Sequence, residues 1–166
     1  MKVKYSDLIE QTIDFPTDEF SLDGENLLWY GVDLMELIKQ YGTPLRLAYL
    51  PKIDENINKA RRLFNVAIAK ADYKADYQYC YCTKSSHFSF VMETVLKNGV
   101  NIECSSAFDL NLLEALFVEG KFSKDKIILC NGFKQPQYIE NIQNFINNGF
   151  ENVIPILDNK FELEHL

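Results

Sequence analysis

The sequence predicts an α/β fold built on a parallel sheet, and three observations carry that expectation. From residue 45 onward, short apolar runs alternate with longer segments whose apolar residues recur at helical spacing. The short runs are apolar at nearly every position, the pattern of strands covered on both faces rather than of half-solvated ones. Gly99, Gly120 and Gly149 close three of the helical segments, where a left-handed residue ends a helix at little cost.

Taken in order, Leu45 to Tyr49 is expected as the first strand. Ile53, Ile57, Ala60, Phe64, Ala67 and Ile68 then form a helical stripe behind an Asp54 cap. A second strand runs through Tyr79 to Cys82 and leads to Lys84. The helix after it takes Ser85 or Ser86 as cap, Phe88, Val91, Met92, Val95 and Leu96 as stripe, and Gly99 as stop. Val100 to Cys104 is a strand, and Ser106 with Asp109 opens a helix carrying Leu110, Leu113 and Phe117. Ile127 to Cys130 is the next strand, followed by a helix that starts at Pro136 with Ile139, Ile142, Phe145 and Ile146 as its stripe. Val153 to Leu157 is the last strand, with Asp158 or Asn159 capping a helix to Leu166. Before residue 41 the pattern is weaker. Asp14 to Gly24 reads as an acidic loop, Leu27 to Val32 as a short strand, and Leu34, Leu37, Ile38 and Tyr41 as a helical stripe ended by Gly42.

Repeated strand–helix units with right-handed crossovers leave two architectures, an open doubly wound sheet or a (β/α)8 barrel of which only the first units are present. A whole barrel takes about 250 residues, so 166 residues hold roughly half of one. No Gly-x-Gly-x-x-Gly turn follows any strand, which counts against the dinucleotide form of the open sheet. In both architectures the C-terminal strand ends form the active face, which gathers Lys84, Ser105, Asn131 and Asp158.

A net charge of −7 and a pI near 4.9 argue against nucleic acid or an anionic membrane as the main partner, and suit a cationic substrate. No apolar run approaches the roughly 20 residues that span a bilayer, and the acidic stretch after Met1 to Tyr5 is no signal core, so a cytoplasmic protein is expected. Cys80, Cys82, Cys104 and Cys130 fall in or at the ends of apolar runs, which suits buried, reduced thiols. Cys80 and Cys82 with His87 lack the second ligand pair and looser spacing of a zinc site, so no metal is expected.

Lys84 carries the most chemistry. It ends the run Tyr79-Cys80-Tyr81-Cys82-Thr83-Lys84, in which strand alternation puts Gln78, Cys80, Cys82 and Lys84 on one face. Small residues on that face leave room for a lysine to reach a cavity, as a Schiff-base lysine does. The alternative is an ordinary lysine at a strand rim.

Five segments together resemble a known family. Tyr41-Gly42-Thr43-Pro44-Leu45, the Lys84 strand, Asn101-Ile102-Glu103-Cys104-Ser105-Ser106, Asn131-Gly132-Phe133-Lys134, and Ile156-Leu157-Asp158 through Glu162-Leu163 are similar to the alanine-racemase-type (fold type III) pyridoxal-phosphate decarboxylases. The runs Tyr81-Cys82-Thr83-Lys84-Ser85-Ser86-His87 and Cys130-Asn131-Gly132-Phe133-Lys134-Gln135-Pro136-Gln137-Tyr138-Ile139-Glu140-Asn141 most resemble the bacterial biosynthetic arginine decarboxylases. The resemblance implies that residues 41–166 are the first half of a pyridoxal-phosphate barrel and that residues 1–40 pack on a β domain.

It further implies that Lys84 holds pyridoxal phosphate and that Glu103, where the family more usually has Asp, is a cofactor-site carboxylate; a strand-end carboxylate satisfied by a neighbour is the competing reading. Asn131 and Lys134 match a rim loop and otherwise read as turn and surface residues, and His87 reads as a packing or capping residue. The implied reaction is decarboxylation of a small cationic amino acid, arginine to agmatine and CO2 in polyamine biosynthesis, by a homodimer. Diaminopimelate or carboxynorspermidine decarboxylation, a pyridoxal-phosphate carrier and a non-catalytic module are the alternatives. The family's Lys-Ala-Asn is Lys84-Ser85-Ser86 here. The family's phosphate cradle, pyridine-nitrogen partner, ring-stacking histidine and partner-subunit Cys and Asp belong to later parts of the fold. The chain therefore reads as an N-terminal fragment, inactive alone and with two sheet edges open to pairing.

Overall fold

A computed structural model of the chain describes residues 18–166. The expectation for Asp14 to Thr17 lies outside the described residues. The chain forms two compact units, one running to Tyr49 and the other from Leu50 to Leu166.

In the first unit, strands β1 (Phe20–Asp23), β2 (Asn26–Trp29) and β3 (Val32–Asp33) form an antiparallel meander in the order β1-β2-β3. The expected loop to Gly24 is thus partly a strand, because Asp23 and Asn26 pair across a tight turn whose Gly24 has φ 60°. The expected strand Leu27 to Val32 is broken at Tyr30 and Gly31, both with positive φ, which turn β2 back into β3. Helix α1 (Leu34–Tyr41) follows, with the Asp33 side chain accepting from the Met35 and Glu36 amides and Gly42 at φ 80° ending it. The Tyr30 ring stacks on Tyr49 at 3.5 Å between centroids. Leu45 to Tyr49 does not form the expected strand: it has no ladder partner among the described residues, and an apolar run without a partner edge does not become a strand.

The second unit contains α2 (Pro51–Ala71), β4 (Cys80–Cys82), α3 (Ser89–Lys97), β5 (Asn101–Cys104), α4 (Ala107–Val118), β6 (Ile127–Cys130), α5 (Pro136–Asn147), β7 (Asn152–Pro155) and α6 (Lys160–His165). Helix α2 starts at Pro51, a residue whose fixed φ suits the first helical position, so Asp54 lies inside the first turn rather than capping it. Of its expected stripe, Ile57 is buried while Phe64 and Ala67 are exposed; Phe64 instead stacks on Tyr77 at 4.1 Å.

The four strands are parallel and adjacent in chain order, β4-β5-β6-β7. No reversal of order occurs among them, so the switch point of a doubly wound sheet is absent from these strands. Alternation divides the sheet sharply. Ile102, Cys104, Ile128 and Cys130 point to one face and are wholly buried, packed in one core with Val91, Met92 and Val95 of α3, Leu110 and Leu113 of α4, and Ile142 and Phe145 of α5. Asn101, Glu103, Ile127 and Leu129 point to the other face and are only half-buried, and Ile154 is exposed. Cys80 and Cys82 are half-buried as well, which corrects the expectation of four buried thiols.

The helix starts depend on which polar side chain can reach a free amide. Ser106 caps α4 as expected, its Oγ accepting from the Asp109 amide and donating to the Asp109 carboxylate at 3.1 Å. Asn159 rather than Asp158 caps α6, its Oδ1 accepting from the Glu162 amide at 3.0 Å. Neither Ser85 nor Ser86 caps α3, which starts later behind Phe88; Ser85 bonds back to the Cys82 carbonyl, and the Tyr81 hydroxyl donates to the Ser86 carbonyl.

Gly132 has φ 76°, and a Cβ there would lie 2.8 Å from the Ser105 carbonyl oxygen. Gly120 has φ 71° with open space around it. Gly132→Ala therefore combines a left-handed penalty with a backbone clash and is expected to destabilise the chain by about 2–4 kcal/mol. Gly120→Ala, with the φ penalty alone, costs about 1–2 kcal/mol. Urea unfolding of the two variants side by side measures the difference.

Candidate functional site

The C-terminal ends of β4 to β7 build a rim whose backbone bonds continue the ladder one step beyond the strands. Thr83 N–H donates to the Glu103 carbonyl at 3.1 Å, Asn131 N–H to Cys104 at 2.8 Å, and Ile156 N–H to Cys130 at 2.9 Å. Thr83 is fully buried and bonds the same Glu103 carbonyl a second time through Oγ1 at 3.1 Å. The ladder then stops, because Ser85 N–H bonds the Cys82 carbonyl at 3.1 Å and closes a tight turn with Lys84 third in it. Lys84 is consequently exposed and not part of the strand face that alternation assigned to it. Its amine forms no ion pair or hydrogen bond among the described residues.

Glu103 sits on the half-covered face of β5, opposite Cys82 in register. Its Oε1 accepts from Asn131 Nδ2 at 3.0 Å and lies 3.8 Å from the Cys82 thiol. Burial, and then the neighbouring Glu103 carboxylate, raise the Cys80 thiol above the ordinary cysteine range. The structure thus brings Glu103, Asn131 and Cys82 together. It sets Lys84 one residue beyond the Thr83 that bonds Glu103, without a salt bridge between the two side chains.

Ser105 and Asp158 reach the same rim by different means. The Asp109 carboxylate accepts from the Ser105 amide at 2.8 Å, fixing the exit of β5. Asp158 N–H donates to Glu162 Oε2 at 2.9 Å. His87 is exposed, with its ring 6.2 Å from that of Phe88, and caps no helix. Beside the rim, a cleft of about 510 Å³ opens between the starts of α4 and α5, lined by Ser105, Ser106, Phe108, Asn111, Phe133 and Tyr138 among others. Neither Lys84 nor Glu103 lines it.

Lys134 is the correction of greatest consequence. In place of a surface residue the structure holds a fully buried ammonium, paired with a fully buried Glu162 at 3.6 Å. Lys134 Nζ also donates to the carbonyls of Gly132, at 2.8 Å, and Ile156. Glu162 accepts from the Lys134 and Asp158 amides at 3.0 and 2.9 Å, so both its oxygens are occupied. These backbone donors, Asp158 first and then Lys134, hold the Glu162 carboxyl below the usual glutamate range. No local pattern marks this pair, since its members lie 28 residues apart.

Cys104 and Cys130 are buried on the helix-covered face, where loss of solvation raises Cys104 well above the ordinary thiol range and Cys130 to about 11. The Tyr138 hydroxyl is buried beside Cys130, outside hydrogen-bond geometry. These groups are neutral core atoms and take no part in the rim. Among the described residues no three His, Cys, Asp or Glu side chains cluster as metal ligands, and no helix is long and apolar enough to cross a membrane.

Lys134→Met leaves the Glu162 charge buried without its partner and is expected to destabilise the chain by about 3–5 kcal/mol in urea unfolding. Acid has a separate, predictable effect. Glu162 ionises at lower pH when folded than when unfolded, so its contribution is complete above the ordinary glutamate range and is lost as the pH falls through the lowered folded value. Unfolding midpoints measured from pH 6 downward, on the order of one point per half unit, are expected to fall less steeply for Glu162→Gln than for the parent chain.

Comparison with known proteins gives a consistent answer. No protein-family model matches the chain. The biosynthetic arginine decarboxylase of Geobacter sulfurreducens is 30% identical over 153 residues, which span 89% of this chain and 22% of that protein. Arginine decarboxylase 1A of Nicotiana tabacum is 28% identical over 123 residues, 65% of this chain and 16% of its own length. The chain thus spans about a fifth of the length of the curated relatives it matches. Among solved structures, the diaminopimelate decarboxylase of M. jannaschi superposes with a TM-score of 0.70 at 21% identity, covering 89% of this chain and 32% of that one. The family resemblance read from the Lys84, Glu103 and Asn131 segments is borne out by these relatives.

Proposed function

We propose that this chain, a segment akin to the arginine decarboxylases in sequence, supplies the lysine-bearing wall of a pyridoxal-phosphate-dependent decarboxylase acting on a small cationic amino acid, arginine to agmatine and CO2. One observation carries the reading: the exposed Lys84 amine, unpaired among the described residues, stands on the strand-end rim one residue beyond Thr83, which bonds the backbone of Glu103 twice.

The residues present fit the cofactor. A free primary amine on a tight turn can condense with an aldehyde, losing water, and Glu103 offers an acceptor oxygen at the same rim. Pyridoxal phosphate, when bound, supplies the electron sink that makes loss of CO2 from an α-amino acid possible. The chain's own contribution is to hold and orient. The Cys82–Ser85 turn carries the exposed Lys84 at the strand end, and Thr83 ties that turn to β5. Asn131 keeps Glu103 in place, and the Lys134–Glu162 pair ties the β6 exit loop to the end of β7.

The fold supports the same reading. Sequential parallel strands with their buried core on one face and a half-buried face on the other fit the first half of a (β/α)8 barrel, residues 41–166, whose inner wall is the Glu103 face. Residues 1–40 would then pack on the β domain of a cytoplasmic homodimer. The runner-up substrate is diaminopimelate, favoured by the structural likeness to a decarboxylase of that name.

The test uses the protein that contains this chain, with release of labelled CO2 from arginine and the visible absorbance of lysine-bound pyridoxal phosphate as its two readings. Lys84→Ala is expected to remove the band and to lower CO2 release about a thousandfold or more. Release from diaminopimelate or carboxynorspermidine but not arginine would reassign the substrate, a band without CO2 release would indicate a carrier, and the absence of a band would indicate a non-catalytic module.

A further inference from the structure

We infer that Asn131 is a positioning residue that fixes one oxygen of Glu103 and leaves the other unengaged, as an acceptor for a cationic nitrogen at the site; the inference rests on the function proposed above.

The argument begins with the Asn131 amide, which is used at both ends. Its Oδ1 accepts from the Gly132 N–H at 2.8 Å, and since that neighbour only donates, the orientation of the amide is determined. Nδ2 is therefore turned toward β5, where it donates to Glu103 Oε1 at 3.0 Å. The loop that carries Asn131 is itself pinned on three sides. Asn131 N–H continues the ladder to Cys104, Gly132 lies against the Ser105 carbonyl too closely for any Cβ, and the buried Lys134 ammonium holds the Gly132 carbonyl. An amide held this firmly can dictate where a carboxylate points.

The two carboxylates of the rim differ in a way that separates structure from function. Glu162 has a backbone donor on each oxygen and a lysine beside it, the condition of a carboxylate retained for stability. Glu103 receives Asn131 and the weaker Cys82 thiol on Oε1 alone, has no salt bridge, and accepts nothing at Oε2 among the described residues. Neither of its partners among the described residues is a lysine, arginine or histidine, and it lies on a half-covered face of the sheet. An oriented carboxylate with one free oxygen is suited to a protonated nitrogen supplied by a ligand.

Asn131→Leu removes the donor to Glu103 without adding a charge. In the protein that contains this chain, Asn131→Leu is expected to weaken the affinity of the cofactor-free form for pyridoxal phosphate about tenfold and to lower the pH midpoint of the visible band by about one unit. Glu103→Gln is expected to shift the midpoint in the same direction, and the double variant to add little to it. A midpoint for Asn131→Leu within about 0.2 units of the parent, with affinity unchanged, overturns the inference even if urea unfolding shows lost stability. A parent protein with no visible band overturns the proposed function and this inference with it. Where Asn131→Leu does not fold, Glu103→Leu in the cofactor-free protein tests the same contact by NMR. Faster exchange of the Asn131 side-chain amide protons is expected, and an unchanged rate overturns the inference.

Discussion

The parallel ladder of β4 to β7 is the constraint on which the rest of the second unit depends. Parallel neighbours cannot be joined by a tight turn, so each pairing needs a helix to carry the chain back to the starting edge. With the strands in chain order, that return buries Ile102, Cys104, Ile128 and Cys130 against α3, α4 and α5 and leaves the Glu103 face half-covered. The same ladder decides where chemistry can occur. It runs one residue past each strand through Thr83, Asn131 and Ile156, and its termination releases the turn that carries Lys84.

The rim is held by polar groups whose costs are met in different ways. Lys134 and Glu162 are wholly buried, and such a pair is tolerated because each charge has further hydrogen bonds: two carbonyls for the ammonium, two amides for the carboxylate. The net contribution of such a pair to stability is small beside the penalty for breaking it, and its hydrogen bonds tie the β6 exit to the β7 exit. Among the described residues Glu103 has fewer donors and no cation, and Asn131 bridges the two arrangements, sharing its loop with Lys134 and its amide with Glu103. A stable half of the rim thereby supports an unsatisfied half.

Much of this was legible in the residues. Ser106 with Asp109, Pro136 and the glycines at 99, 120 and 149 act on their own neighbours within a turn or two, so local physical chemistry suffices to place α4, α5 and the helix ends. Lys84 is a candidate for the same reason, being a polar residue at the end of a short apolar run, whereas Glu103 is one only through the family resemblance. Errors arose where a local signal had a distant competitor. Ser85 and Ser86 are good caps by type, yet the Ser85 hydroxyl is taken by the Cys82 carbonyl and the helix starts only after Phe88, beyond the reach of Ser86 as its cap. Leu45 to Tyr49 is apolar enough for a strand, but strands need an edge to pair with.

From the Lys84 strand onward the sequence by itself determined the order of strands and helices and the parallel class of the sheet, because these follow from periodicity, caps and turns that act over a few residues. Tertiary structure alone decided that Lys134 is buried with a partner 28 positions away, that Asn131 holds Glu103, and that Lys84 leaves the strand before its side chain can share the Cys82 face. Each of these depends on two chain segments meeting, and no spacing within either segment encodes the meeting.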